Sequence, residues 1–485
     1  MSDRLGRPAT LDDIQDSDLD RMANRGFDWV WLLGVWQTGT LGRAIARDNH
    51  EWLAEFRETL PDFTMEDVCG SCFAVSQYIV HSRLGGSPAL ERFRQRLCAR
   101  DMKLLLDFVP NHTALDHYWV RMHPEFYVHG TEQQLQREPQ NYIRIETAQG
   151  SAIFAHGRDP YFPGWPDTLQ LNYSELSTQE AMRRELLNVS SLCDGLRCDM
   201  AMLLLPEVFE RTWGLSAEPF WPKAIYSVRS NKWDFLFMAE VYWDLEWTLQ
   251  QQGFDYTYDK RLYDRLREGS ARPIREHFGA DISFQRKSVR FLENHDEPRA
   301  AATFSWDQHR AAAIVTFLCP GLRFFHDGEF EGKTKRLPVH LDRQAKEPVP
   351  AALHEFYDRL LDCLQRPEFR NGTWQLLDCN AAWEGNWTWD CFIGFAWQAA
   401  GQLPAIVIVN YAPNQSQCFL TVPFDEICGH TVQLQDLLSS ITYERSGDEL
   451  FSRGLYLDIP AWGFHVFTLA VESEKADAVI TRKGR

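Results

Sequence analysis

No run in the 485-residue sequence is apolar for long enough to cross a membrane, which takes about 20 predominantly apolar residues. Basic residues are also short: Lys and Arg number 50 against 68 Asp and Glu, a formal net charge of -18 at pH 7. Nucleic-acid affinity comes largely from Lys and Arg neutralising phosphates, and anionic membranes attract the same groups, so the balance argues against both partners. A neutral ligand meets no electrostatic penalty at an acidic surface. The opening Met1-Ser2-Asp3-Arg4-Leu5-Gly6-Arg7 runs into an acidic stretch at 12–20 with no apolar signal core, and the expected location is the cytoplasm. The 11 cysteines are odd in number and scattered through apolar stretches such as Leu192-Cys193 and Leu318-Cys319. They read as reduced thiols packed as small hydrophobes, not as a disulfide framework. Cys69-Gly70-Ser71-Cys72 has redox or metal spacing but no second Cys/His pair nearby, and it is left unassigned. No internal repeat is present.

What the chain does have is 44% hydrophobic residues, enough for a large core, and 13% aromatics, among them 18 Trp. Those rings serve either that core and a β-rich domain, or stacking on sugar faces. Strand-like runs alternate with helical patterns over most of the length, which favours an α/β fold with a parallel sheet. Strands are expected at 27–33, 103–109, 195–199, 235–241, 254–258, 288–293 and 322–325, and an amphipathic helix at 89–100. From 113 to 172 the alternation breaks into a stretch rich in Pro, Gly, His and Tyr, of the length of a functional insertion. It resumes at Ser177, where Ser177 and Glu180 form a capping-box pattern. A helix at 351–364 closes this part. Beyond it come short strands at 391–398, 405–411, 417–422, 455–459 and 463–469, the pattern of a small antiparallel sandwich.

Four expected strands end in polar groups: Asp107-Phe108-Val109-Pro110-Asn111-His112, Gly195-Leu196-Arg197-Cys198-Asp199, Phe237-Met238-Ala239-Glu240-Val241 and Phe291-Leu292-Glu293-Asn294-His295-Asp296. In a (β/α)8 barrel the strand C-termini form the catalytic face. One such carboxylate could be a helix cap or a surface ion pair; four in order call for another explanation. Arg197 precedes Asp199 by two residues, so on a strand both point the same way, and its charge is expected to keep Asp199 ionised. The apolar neighbours of Glu240 should raise its pKa.

This ordered set resembles the α-amylase family, glycoside hydrolase family 13, over about 27–469. The strand-end motifs match its Asp-x-x-x-Asn-His, Arg-x-Asp, glutamate and Asn-His-Asp segments, and Ala74-Val75-Ser76-Gln77-Tyr78 and Pro320-Gly321-Leu322-Arg323-Phe324-Phe325 agree. The resemblance implies a (β/α)8 TIM barrel over 1–112 and 173–365, an inserted domain at 113–172, a C-terminal β-sandwich at 366–472 and a tail at 473–485. It also implies a retaining glycosidase acting on α-1,4-glucans or maltooligosaccharides. Asp199 would be the nucleophile, Glu240 the general acid/base and Asp296 the third catalytic carboxylate, with Tyr78, His112, Arg197 and His295 binding the sugar and Tyr78 stacking under it. Catalysis of this kind needs no cofactor; Asn111 matches a family calcium ligand, leaving a structural Ca2+ or a purely structural Asn as alternatives. Many relatives carry Lys-His three and four residues after the Arg-x-Asp aspartate, to bind the leaving-group sugar; here those positions are Met202 and Leu203. A glucanotransferase or glucosyl isomerase on the same site is the alternative reading. An inactive glucan-binding protein is the alternative from another class, against which all the catalytic groups are present.

Overall fold

The computed structural model describes residues 5–147 and 150–471. The tail expected at 473–485 lies outside the described residues. At the centre is an all-parallel sheet whose strands pair in chain order: Trp29–Leu32, Lys103–Phe108, Gly195–Cys198, Leu236–Ala239, Tyr256–Tyr258, Ser288–Arg290 and Leu322–Arg323. Its inner strands are buried throughout, as in Lys103–Phe108 beyond its first residue and in Gly195–Cys198, because helices cover the outer face and side chains fill the inner one. The covering helices include Gly86–Cys98, Leu176–Ser191, Trp221–Arg229, Lys260–Glu268, Trp306–Leu318 and Ala351–Leu364. Seven strands pair in this sheet among the described residues. Its two edges approach through side chains: Trp31 lies 5.4 Å from Phe324, and Phe27 lies 5.7 Å from Phe325. The architecture fits a (β/α)8 barrel followed by an antiparallel β domain.

Several elements are shorter than their apolar runs. Leu236–Ala239 pairs with Gly195–Cys198 residue for residue, and the chain leaves the sheet where its partner does. The helix at Leu176–Ser191 starts before Ser177, with Glu175 as its cap residue and no side-chain cap, so the capping-box pattern does not set its start. Residues 113–172 are ordered by a hairpin, Tyr142–Thr147 with Gly150–Ala155, and by pairing of His112–Ala114 with Thr168–Gln170.

The C-terminal part holds a six-stranded antiparallel sheet facing a three-stranded one. Strand Ala405–Asn410 is buried at every position. Ile406 and Ile408 point into the core between the sheets, whereas Ala405, Val407 and Val409 pack with the Trp306–Leu318 helix and its neighbours. The period of two thus divides one strand between two cores. Trp397 Nε1 donates to the Leu318 carbonyl at 2.6 Å, and Tyr411 Oη to that of Leu266 at 2.7 Å. Strands Thr373–Leu377, Thr431–Asp436 and Thr442–Ser446 have no apolar run to announce them. Thr431–Asp436 alternates exposed and buried residues, with Gln433 and Gln435 outward. Among the described residues, no helix is long and apolar enough to cross a membrane.

Candidate active site

The strand ends bring Arg197, Asp199, Glu240 and Asp107 together. Register pairs Cys198 with Ala239 on adjacent strands, so Asp199 and Glu240 leave the sheet side by side. The Asp199 amide donates to the Phe108 carbonyl at 2.8 Å, and the Glu240 amide to that of Cys198 at 3.0 Å. Arg197, fully buried, donates from Nη1 to Asp199 Oδ1 at 2.7 Å and from Nη2 to Glu240 Oε2 at 2.6 Å. Its Nη1 also lies 3.4 Å from Asp107 Oδ1, and Asp107 accepts the Gly34 amide at 2.8 Å. The guanidinium is enclosed by the rings of Trp31 and Phe73, at 5.4 and 5.2 Å. One cation therefore serves three buried carboxyls in apolar surroundings, and removing it would leave them uncompensated.

Glu240 accepts two further donors, the Met200 amide at 2.8 Å to Oε2 and Tyr242 Oη at 2.8 Å to Oε1. Met200 presents its amide from a left-handed backbone, φ 42°, a conformation that costs a non-glycine residue about 1–2 kcal/mol. Burial pushes Glu240 up to about 7, against the pull of Arg197. Asp107 is likewise lifted by burial, to about 7, with Arg197 opposing. Asp199 is raised as well: burial outweighs Arg197, which opposes it by charge and by hydrogen bond. The expectation that the charge of Arg197 keeps Asp199 ionised did not include this desolvation cost.

Asp296 follows the Ser288–Arg290 strand in a turn built by Asn294, whose Oδ1 accepts the amides of Asp296 and Glu297, both at 2.9 Å. Its side chain is about 45% exposed, open to solvent where the other carboxyls are not. His295 is buried, with Nε2 3.1 Å from Asp296 Oδ2 and no hydrogen bond to that nitrogen among the described residues. Burial lowers His295 to about 3 and His112 to about 4, so both rings are neutral near pH 7. His112 packs 5.1 Å from Trp165 of the inserted segment.

Tyr78 is placed otherwise than expected. Tyr78 is buried against Phe108 and Trp36, and its hydroxyl accepts from the Val109 amide and donates to the Val109 carbonyl. It braces the end of the Lys103–Phe108 strand. The ring at the arginine is Phe73, half-buried and 5.3 Å from His295. Asn111 Oδ1 accepts Gln170 Nε2 at 3.0 Å, and its Nδ2 donates to Gln170 Oε1 at 3.1 Å, an amide pair that ties the inserted segment to the barrel. Among the described residues, no group of three or more His, Cys, Asp or Glu is placed to hold a metal.

Met202 and Leu203 lie in a buried turn of the Ala201–Leu204 segment. The other histidines serve locally: His117 Nδ1 accepts the Trp119 amide, and His156 Nδ1 donates to the Thr168 carbonyl. All 11 cysteines are free thiols. A cleft of about 1270 Å³ adjoins Glu240 through Met200 and Tyr242 and continues past Trp243, Phe162 and Lys260.

Fold and site together define a parallel barrel protein with an Arg-linked carboxylate centre at its strand ends. No protein-family model matches the sequence. The chain is 24% identical over 336 residues to α-amylase MalA of Haloarcula japonica, covering 66% of this chain and 41% of that protein. It is 23% identical over 296 residues to α-amylase 3 of Dictyoglomus thermophilum, covering 56% and 55%. The chain thus spans about half the length of the curated relatives it matches. Its fold is similar to that of maltogenic α-amylase AmyB from Thermotoga neapolitana, with a TM-score of 0.68 at 20% identity over 94% of each chain. The chain is thus similar to these α-amylases in sequence over part of their length and, to the solved one, in fold.

Proposed function

We propose that this protein is a retaining glycoside hydrolase that cleaves α-glucosidic bonds in α-1,4-glucans or maltooligosaccharides. The observation that carries the reading is the sharing of one guanidinium by Asp199 and Glu240. It holds two carboxyls on adjacent strands, which run about 4.8 Å apart; retaining glycosidases keep their carboxyls about 5–5.5 Å apart. Glu240, lifted to about 7 by burial, gives its proton to the glycosidic oxygen as the bond to the anomeric carbon breaks. An Asp199 oxygen bonds to that carbon. Water then adds to the same carbon, returning a proton to Glu240 and releasing Asp199. His295 Nε2, buried and without a hydrogen bond among the described residues, supplies a donor or acceptor for a sugar hydroxyl beside Asp296. Because Met202 and Leu203 are buried, the leaving-group side lacks the charged pair that would hold an acceptor sugar. Water is therefore the acceptor in this reading. Eleven free thiols suit the reducing cytoplasm.

The test is proton NMR of the first products from maltoheptaose. Products released as the α-anomer are expected. The β-anomer would establish inversion. Longer maltooligosaccharides formed from maltotriose ahead of reducing ends would establish transfer, and no turnover of maltoheptaose, isomaltose, sucrose or trehalose would leave a binding protein.

A further inference from the structure

We propose that the loop at 381–391 of the C-terminal domain is a second, non-catalytic binding site for an α-glucan chain, built on Trp383 and Trp387. The choice of an α-glucan rests on the function proposed above. The two indoles are 53% and 66% exposed, and neither makes a ring, cation or side-chain hydrogen-bond contact among the described residues. Trp389 on the same loop is half-buried, with Arg275 5.7 Å over its ring. One ring of the three is thus used by the fold and two are left free.

The loop that carries them is fixed. Asn386 is buried, and its Oδ1 accepts the Ala382 amide at 3.1 Å while its Nδ2 donates to Thr388 Oγ1 at 2.8 Å. The Asn386 amide donates to the Trp383 carbonyl at 3.1 Å. Gly385 makes the turn at φ 80°, in the left-handed region that favours glycine. Thr388 Oγ1 accepts the Gln417 amide at 3.0 Å, joining the loop to the three-stranded sheet. Asp390 forms ion pairs with Arg272 and Arg275 of the barrel helix Ala271–Phe278. Arg275 also donates to the carbonyls of Asp390 and Phe392, at 2.7 and 2.6 Å. The loop that carries the rings is therefore held at a set place relative to the barrel, and a ligand would not have to order it.

The surroundings suit a polyhydroxylated chain better than a protein. Between the two tryptophans in sequence lie Glu384, which is exposed, Gly385 and the buried Asn386, so the segment that carries the indoles is not an apolar run. From Ala382 a groove of about 300 Å³ leads past Phe419 and the 46%-exposed Tyr456 between Arg445, Glu449 and Arg453. Indole and phenol faces pack on pyranose C–H groups, free indole N–H groups donate to hydroxyls, and the charged rim offers both donors and acceptors. A chain of neutral sugars uses all of these.

The experiment is native electrophoresis through gels with and without soluble amylopectin, on Glu240→Gln protein so that the polymer is not digested. We expect that parent to be retarded, and Trp383→Ala/Trp387→Ala in the same background to bind amylopectin about tenfold more weakly. The double Phe variant should keep most of the retardation, which separates ring loss from misfolding. In protein with Glu240 intact, the double Ala variant should cleave maltotriose within twofold of wild type and amylopectin more slowly. Unchanged retardation of the double Ala variant would overturn the site, as would an equal loss on maltotriose and amylopectin. A dimer that the double Ala variant dissolves, with retardation unchanged, would make the loop a protein interface instead. A parent that is not retarded while the wild type cleaves maltotriose would sink the site alone. Retardation lost with the two indoles, in a protein that cleaves no α-glucosidic bond, would sink the catalytic reading and keep the site.

Discussion

Arg197 and Glu240 meet at 2.6 Å, cation to carboxyl, with the same guanidinium holding Asp199 at 2.7 Å on its other nitrogen. The two carboxyls are thereby made into one electrostatic unit. Arg197→Met should cost about 3–5 kcal/mol of stability, the range for breaking a buried ion pair by removing one partner. The cost should shrink as pH falls below about 7, where Glu240 and Asp107 take up protons and need less compensation. Urea unfolding at pH 8 and pH 5 checks this; an equal loss at both would mean that the arginine acts by packing.

Glu240 should set the alkaline limb of activity. A general acid works only while protonated, so kcat/KM should fall above an apparent pKa near 7, about tenfold per pH unit. Glu240→Gln should keep activity on a substrate whose leaving group needs no proton, and its profile should lose the limb. A limb retained in the variant would point to another acid.

Phe73 and Tyr78 should separate binding from bracing. Phe73→Ala removes the ring beside Arg197 and His295 and should lower kcat/KM on maltoheptaose at least about tenfold, on the order of 1.4 kcal/mol. Tyr78→Phe leaves the ring and deletes a hydroxyl that is bonded twice to Val109. It should cost about 1–3 kcal/mol of stability with kcat/KM nearly unchanged. The opposite pattern in steady-state kinetics and thermal melts would restore Tyr78 to the sugar.

Stability in acid should carry the mark of the two buried histidines. His112 and His295 are held below their ordinary value by burial, at about 4 and about 3. Between about pH 6.5 and those values the unfolded chain binds protons that the folded chain refuses, so stability falls as pH falls through this window. His295→Asn should flatten that part of the pH dependence relative to wild type. Parallel curves for the two proteins would show that carboxylates alone govern it.

The parallel sheet and the groups that end its strands were open to reading because both follow from local pattern. Continuous apolar runs mark the doubly covered strands, and a polar residue directly after one of them, such as Asp199 or Glu240, stands out. Tyr78 and Phe73 show where that method stops. Phe73 precedes the short strand Val75–Val80 and Tyr78 lies within it, and only three-dimensional packing decides which ring reaches Arg197. Asp107 opens a visible motif, but its place below the guanidinium depends on register with the next strand. Tyr242 bonds Glu240 from beyond the strand end, where no periodicity applies. In the C-terminal domain Ala405–Asn410 was plain from its apolar run, whereas Thr431–Asp436 hid its period of two behind polar side chains.

The strand Ala405–Asn410, with Ile406 and Ile408 in one core and Val407 and Val409 in another, leaves no clean line along which the chain could be divided. Cutting the domain away would strip Val407 and Val409 from the barrel helices and expose a wet, sticky wall where the protein now has an interior. The β domain is in that sense a load shared with the barrel rather than cargo carried by it. Calorimetry should record a single endotherm for both, and a gene shortened at Pro367 should yield inclusion bodies rather than a smaller folded protein. Evolution, like the protein engineer, can decorate this domain's outer loops freely but must inherit its inner sheet together with the barrel.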